Sequence, residues 1–302
     1  MLDLIPYRIR RPLEIRHHHR MIAGITETRP IVATGSGLTF LSMVCHADVL
    51  PWLVSIKSIF RAFESGSVAV INDGSLTGDD LSLLHHHVEG LRVIPISRVD
   101  TGPCPKGGTW ERLLTILDLS RDNFVIQVDA DLVASGPMAE VVEAVRTNRA
   151  FTLAGGKGHD VLLTPAQAAA RMAGSQSTHI QTVTERILVD CPELASMRYV
   201  RGCSGFAGFP CNDGGRRLAE MFSTVMERKL AGRWLEWGTE QITSNFLIAN
   251  FPDPLILPWP KYMSYFDEVE PDCADLVHFL GLHRYHRHHY GRLSQTIIRA
   301  LM

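Results

Sequence analysis

A chain of 302 residues, 45% hydrophobic and carrying a formal charge of only −2, is long enough to bury a full core, and its near-neutral balance excludes a global field for nucleic acid. The first twenty residues hold too many charges for a signal peptide, and no apolar run is long enough to cross a bilayer, so the expectation is a soluble protein, at most peripheral to a membrane. Six cysteines (Cys45, Cys104, Cys191, Cys203, Cys211 and Cys273) include no Cys-x-x-Cys pair, which suits a reduced, cytoplasmic setting.

The chain opens with a basic arm over residues 1–35, where Arg8, Arg10, Arg11, Arg16 and Arg20 read as solvated or partner-facing. Strand and helix patterns then alternate. "LTFLSMVC" (38–45) predicts a buried strand, and "VLPWLVSIKSIFRAF" a helix with Leu53, Ile56, Ile59, Phe60 and Phe63 on one face. "SVAVIND" is a second strand that stops at the turn signal "NDGS", where Gly74 takes positive φ. "DDLSLLHHHVEG" reads as a short helix, "LRVIPIS" as a third strand, and "TWERLLTILDLS" as a helix with Trp110, Leu113, Leu114 and Leu117 in one stripe. The fourth strand, "FVIQV", runs into Asp129-Ala-Asp131. Pro137, at an expected first helical position, opens "PMAEVVEAV". Apolar strands alternating with helices predict an α/β chain with a mostly parallel sheet covered on both faces, which binds ligands beyond the carboxyl ends of its strands.

Two carboxylates at i and i+2 on extended backbone project to the same side. Their repulsion requires a cation or a shared proton. A hard divalent ion serves, and magnesium or manganese needs only one or two carboxylates when substrate phosphates complete its shell. In the other reading, the usual one for so short a motif, one aspartate caps the next helix and its neighbour is solvated; the position after the fourth strand weighs against it.

The order of strand "LSMVCHAD", turn "NDGS", helix "WERLL" and strand "VIQVDADLV" resembles the metal-dependent nucleotide-sugar glycosyltransferases of GT-A fold. The likeness is nearest to the retaining branch that includes glycogenin and the bacterial lipooligosaccharide galactosyltransferases. That branch carries a late His-Phe-x-Gly motif followed by a basic residue, matched here by "HFLGLHRY" from His278 to Tyr285, although Arg284 stands where the branch has lysine and Tyr285 where it has proline. The resemblance covers residues 36–150 and 236–290. It implies a Rossmann-like central sheet flanked by helices, and a manganese (Mn2+) or magnesium ion held by Asp129, Asp131 and His278. It further implies a nucleotide-sugar donor, a UDP-sugar, contacted by His46, Asp48, Asp73, Arg112, Asp129, Gly281 and Arg284, and a saccharide or lipid-linked hydroxyl acceptor. On the same likeness Glu240 and Gln241 match an acidic-Gln pair beside the transferring sugar, and the configuration at the sugar is retained. A nucleotide-binding half (36–150), an acceptor half (151–260) and a closing segment (261–302) would then form a single domain.

Several readings stay open on residues alone. Arg112 is either a donor-site cation or a surface arginine flanking the apolar stripe. Asp73 either binds ribose or stabilises its own turn, and Glu240 is either a substrate contact or the acidic residue of a helix N-terminus. "GCSGFAGFP" (202–210) is either a sugar-stacking surface that lets backbone approach closely or a packed β-turn. The triplets His17–His19 and His85–His87 read as polar helix faces, since they offer no zinc spacing. The tail from Leu293 is expected to fold as a helix over the donor crevice or to rest on an anionic membrane. Two other classes compete: a haloacid-dehalogenase-like phosphohydrolase with Asp129 as nucleophile, and a sugar-phosphate nucleotidyltransferase. The first lacks the expected residue at Leu132, and the second lacks its Gly-rich, Arg-containing loop.

Overall fold

The computed structural model describes residues 7–63, 65–266 and 269–302, with the side chains of 7–9 left aside. A seven-stranded sheet forms the centre. Its parallel part contains β2 (Leu38–Val44), β3 (Ser67–Asn72), β5 (Arg92–Pro95) and β6 (Phe124–Val128), after a two-residue β1 (Ile31–Val32) that pairs outside it with β4 (Val88–Glu89). Beyond β6 come β9 (Gly202–Phe209), β8 (Phe151–Ala154) and β10 (Leu255–Leu257). Only β9 runs against the rest. The sheet is therefore mostly parallel, as the alternating pattern predicted.

Both faces are covered because successive side chains leave a strand on opposite sides. Phe40, Val68, Val70, Ile126 and Val128 join a core with α2 (Val49–Phe60), α5 (Ala139–Arg146) and α10 (His289–Leu301). Leu41, Ala69, Ile71, Val125 and Phe209 join another with α4 (Trp110–Leu119), α8 (Gly215–Leu230) and α9 (Thr239–Asn250). A small second sheet lies beside the main one, formed by β7 (Leu132–Ala134), β11 (Tyr262–Ser264) and β12 (Leu276–His278), with β12 antiparallel to β7.

Several sequence expectations are corrected here. Pro137 does not start α5: Met138 follows it with φ 50°, and the helix begins at Ala139. Residues 202–210 form neither a turn nor a sugar platform, because Phe206 and Phe209 are fully buried in a strand inside the sheet. The arm is not free chain: α1 (Tyr7–Ile22) packs along α10, with His18 stacked on Tyr290 at a centroid separation of 4.0 Å, while Arg16 and Arg20 stay exposed as expected. Residues 1–6 and the side chain of Arg8 lie outside the described residues. Each histidine triplet puts one ring in the core, His18 at 3% exposure and His87 at 1%. His87 Nδ1 lies 2.9 Å from Nζ of the buried Lys57, which also donates to Thr28 Oγ1 and the Arg29 carbonyl at 2.8 Å each. Three acceptors let a core lysine persist inside an apolar helix. No described helix is long and apolar enough to cross a membrane.

Burial pushes His87 down to about 4 and His18 down to about 3. Unfolded, both titrate near 6.5. Between pH 6.5 and 5 the unfolded chain takes up protons that the folded chain refuses, so stability falls as pH falls. Urea midpoints measured at pH 7, 6 and 5 should drop accordingly, and His87→Leu should flatten that slope by up to about 1.4 kcal/mol per pH unit.

Candidate active site at the carboxyl edge of the sheet

The parallel strands β3, β2 and β6 end side by side, so Asp73, His46 and Asp129 all emerge at one edge. Asp129 N donates to the Gly205 carbonyl at 2.9 Å, and Ser55 Oγ of α2 donates to the Asp129 carbonyl at 2.8 Å, which fixes the strand end between sheet and helix. Three residues later, at Leu132, the chain enters β7. The register of β7 against β12 pairs Leu132 with His278, and Phe279 N donates to the Asp131 carbonyl at 2.9 Å. That ladder brings His278 to the aspartates from far along the chain. Its Nε2 lies 3.0 Å from Asp131 Oδ1 and 3.8 Å from Asp129 Oδ2.

A missing side chain allows this approach. A Cβ built on Gly205 of β9 would stand 2.2 Å from His278 Cε1 and within 2.7 Å of both ring nitrogens, so the imidazole packs directly onto the Gly205 backbone. On its far side, His278 Nδ1 lies 3.3 Å from Cys203 Sγ.

Two guanidiniums offset the carboxylates. Arg112 of α4 donates to Asp129 and, at 3.4 Å, to both oxygens of Glu240, while Arg284 donates to Asp131. Arg112 is only 6% exposed, which removes the surface reading of that residue. Glu240, the second residue of α9, is 2% exposed and also accepts from Thr109 Oγ1 at 3.0 Å and Ser204 Oγ at 3.4 Å. Burial raises the Asp129 and Glu240 carboxyls against the pull of Arg112. For Asp131, burial is outweighed by His278 and Arg284, and the group is held below the usual carboxylate range. Burial likewise opposes charge on His278, but Asp131 and Cys203 hold the imidazole well above its ordinary value.

Asp129, Asp131 and His278 each offer a ligand atom, and those atoms lie within 4.8 Å of one another. Two hard carboxylate oxygens and one imidazole fit manganese or magnesium, with coordination positions left for phosphate oxygens.

The remaining sequence candidates spread around this centre. His46 is exposed and pairs with Asp80 at 2.7 Å; Asp48 Oδ2 accepts from Cys45 Sγ at 3.2 Å and lies in the field of Arg284. Asp73 Oδ1 accepts from Ser75 N at 2.9 Å and Ser75 Oγ at 2.6 Å, so it stabilises its turn. Gly281, at φ 60°, opens the short turn between His278 and Arg284. Gln241 is half-buried; its Oε1 accepts from Ser204 N and its Nε2 donates to Gln181, each at 3.4 Å. Beside β12 a cleft of about 410 Å³ is walled by Lys157, His159, Trp259, Ser264, Phe266 and His283. A larger cleft of about 690 Å³ lies between α5 and the β10 edge; neither cleft is lined by the candidate residues themselves, but the smaller one adjoins them through Ser264, which pairs in register with His278, and His283, the neighbour of Arg284. Sequence reasoning missed Thr109, Ser204 and Tyr290, whose hydroxyl donates to the Ala130 carbonyl at 3.1 Å.

No family model and no curated protein matches the chain. Among solved structures, the bifunctional glycosyltransferase WbbM in its apo form superposes with TM-score 0.54 at 13% identity, over 83% of this chain and 47% of WbbM. The chain therefore spans about half of WbbM. Weaker likenesses include the apo glycosyltransferase GlyE of Streptococcus pneumoniae TIGR4 (TM-score 0.48, 12% identity, 88% of this chain and 63% of GlyE). Another is the galactosyltransferase LgtC in complex with donor and acceptor sugar analogues (TM-score 0.48, 10% identity, 87% and 96%). The strand order and the superposition on WbbM give this chain the GT-A glycosyltransferase fold. At 13% identity the likeness carries the fold, and function rests on the site.

Replacing Gly205 by Ala should drive a methyl into the His278 ring and destabilise the protein by about 1–3 kcal/mol, the usual cost of overpacking. Gly174→Ala, where a Cβ meets nothing within 4 Å, is the control and should be neutral in the same urea titrations.

Proposed function

We propose that the protein transfers a hexose from a nucleotide sugar, a UDP-sugar, to the hydroxyl of a saccharide or lipid-linked acceptor, with retention at the sugar carbon and dependence on manganese or magnesium. The observation that carries this reading is the convergence of Asp129, Asp131 and His278 at the carboxyl edge of a GT-A sheet. These three residues would hold the ion. When bound, it supplies charge stabilisation to the departing nucleoside diphosphate.

The chain's own residues do the rest. Arg284, now on Asp131, turns its paired donors to the diphosphate; arginine keeps the charge of the lysine in the resembling branch and adds bidentate geometry. Arg112 holds Asp129 and Glu240 apart yet fixed, so neither carboxylate reorients as the donor enters. Glu240, buried among Arg112, Thr109 and Ser204, presents fixed negative charge toward the developing positive charge on the sugar, and Gln241 contacts the substrate. Asp48 and His46 line the base and ribose side, Asp73 holds the adjoining turn, and Gly281 lets backbone approach the pyrophosphate. The acceptor enters the 410 Å³ cleft, whose Trp259 and Phe266 offer aromatic surface to a sugar ring.

The phosphohydrolase reading is set aside, because the fold is that of glycosyltransferases and Asp129 is locked by Arg112. Exposed Arg16, Arg20, Arg292 and Arg299 on α1 and α10 fit a cytoplasmic protein that touches an anionic membrane at its periphery. Binding to anionic vesicles that weakens with salt checks that part.

Asp131→Asn keeps the shape and removes a ligand charge. In calorimetric titrations it should weaken manganese-dependent UDP binding by more than about 100-fold, beyond the loss usual for an outer partner of a metal. Undiminished binding would reject the site. Arg284→Ala should lower kcat/KM for the donor by up to about 3 kcal/mol, and unchanged donor kinetics would remove Arg284 from the diphosphate.

A further inference from the structure

Cys203 stands on β9 two residues before Gly205, so both face the same side of the strand. Gly205 receives the face of the His278 ring, and Cys203 meets its edge, with Sγ 3.3 Å from Nδ1. The thiol is 7% exposed. It is absent from the group of atoms that could share an ion, so it lies behind the imidazole and not among the ligands.

A histidine binds a metal through a bare nitrogen and carries its proton on the other, and the partner of that second nitrogen fixes both tautomer and ring angle. With an ion held between Nε2 and the two aspartates, Nε2 gives up the proton it now shares with Asp131 and the remaining proton belongs on Nδ1, where Cys203 Sγ is the acceptor in reach. Carboxylates and backbone carbonyls usually do this work. A sulfur does it in this chain.

We propose that Cys203 is the positioning residue of the metal centre: its sulfur accepts the Nδ1 proton of His278, fixes the tautomer that leaves Nε2 bare toward the aspartates, and with Gly205 sets the angle of the ring. This rests on the metal reading of the site. Serine in its place keeps an acceptor, whereas alanine and valine leave Nδ1 without one; valine also keeps the volume filled should the alanine variant fail to fold.

The test is manganese affinity of the full chain without nucleotide, followed by the electron paramagnetic resonance signal of free Mn2+, for wild type, Cys203→Ser, Cys203→Ala, Cys203→Val and Asp131→Asn. Alanine and valine should weaken binding by about 10–100-fold. Serine should stay within a few-fold of wild type. Activity of the alanine or valine variant should return as manganese is raised, since a positioning defect moves the manganese requirement more than the turnover at saturation. Alanine and valine variants that bind as tightly as wild type, or a serine variant as weak as they are, would overturn the role of Cys203. Asp131→Asn separates the two levels: if it too leaves binding unchanged, the fault lies in the metal assignment.

Discussion

The site is organised around two carboxylates forced together at the end of a buried strand. Asp129 and Asp131 leave the sheet on the same side of extended backbone, and neither can retreat, because Gly205, Ser55 and Phe279 hold the peptide groups around them. Left alone, such a pair would hold a proton rather than two charges. Instead each has its own guanidinium, Arg112 from one side and Arg284 from the other, and the imidazole of His278 sits between. The sheet supplies the constraint, and the late segment of the chain supplies most of the compensation.

That division explains the shape of the rest. The small sheet exists to carry β12 alongside β7, and its register places His278 opposite Leu132. Tyr290 of α10 then ties the last helix to the Ala130 carbonyl, between the two aspartates, and His18 of α1 stacks behind Tyr290. The two ends of the described chain thus converge on the back of the site, which is why a basic opening segment folds as a packed helix rather than staying in solvent.

Much of this was legible in the sequence where the signal is local. Apolar runs of strand length between helical stripes gave the parallel sheet, and Asp-x-Asp at a strand end gave the first two members of the cluster. His278 and Arg284 were legible only through the order of motifs, since no periodicity links them to Asp129. Burial of Arg112 was illegible, because a guanidinium beside an apolar stripe reads the same whether it faces water or a buried carboxylate. Cys203 and Gly205 depend on the antiparallel placement of β9 inside a parallel sheet. "GCSGFAGFP" announced close backbone approach but not toward what. The histidine triplets misled for a related reason: on a helix, adjacent residues point in different directions, so a run of three contributes one ring to the core and leaves the others outside.

The most direct measurement is anomalous scattering from manganese in crystals grown with UDP. A single peak within bonding distance of Asp129, Asp131 and Nε2 of His278, bridging to the diphosphate, is the predicted result. UDP bound in the crevice with manganese elsewhere, and His278 still paired to Asp131 as it is now, would contradict it.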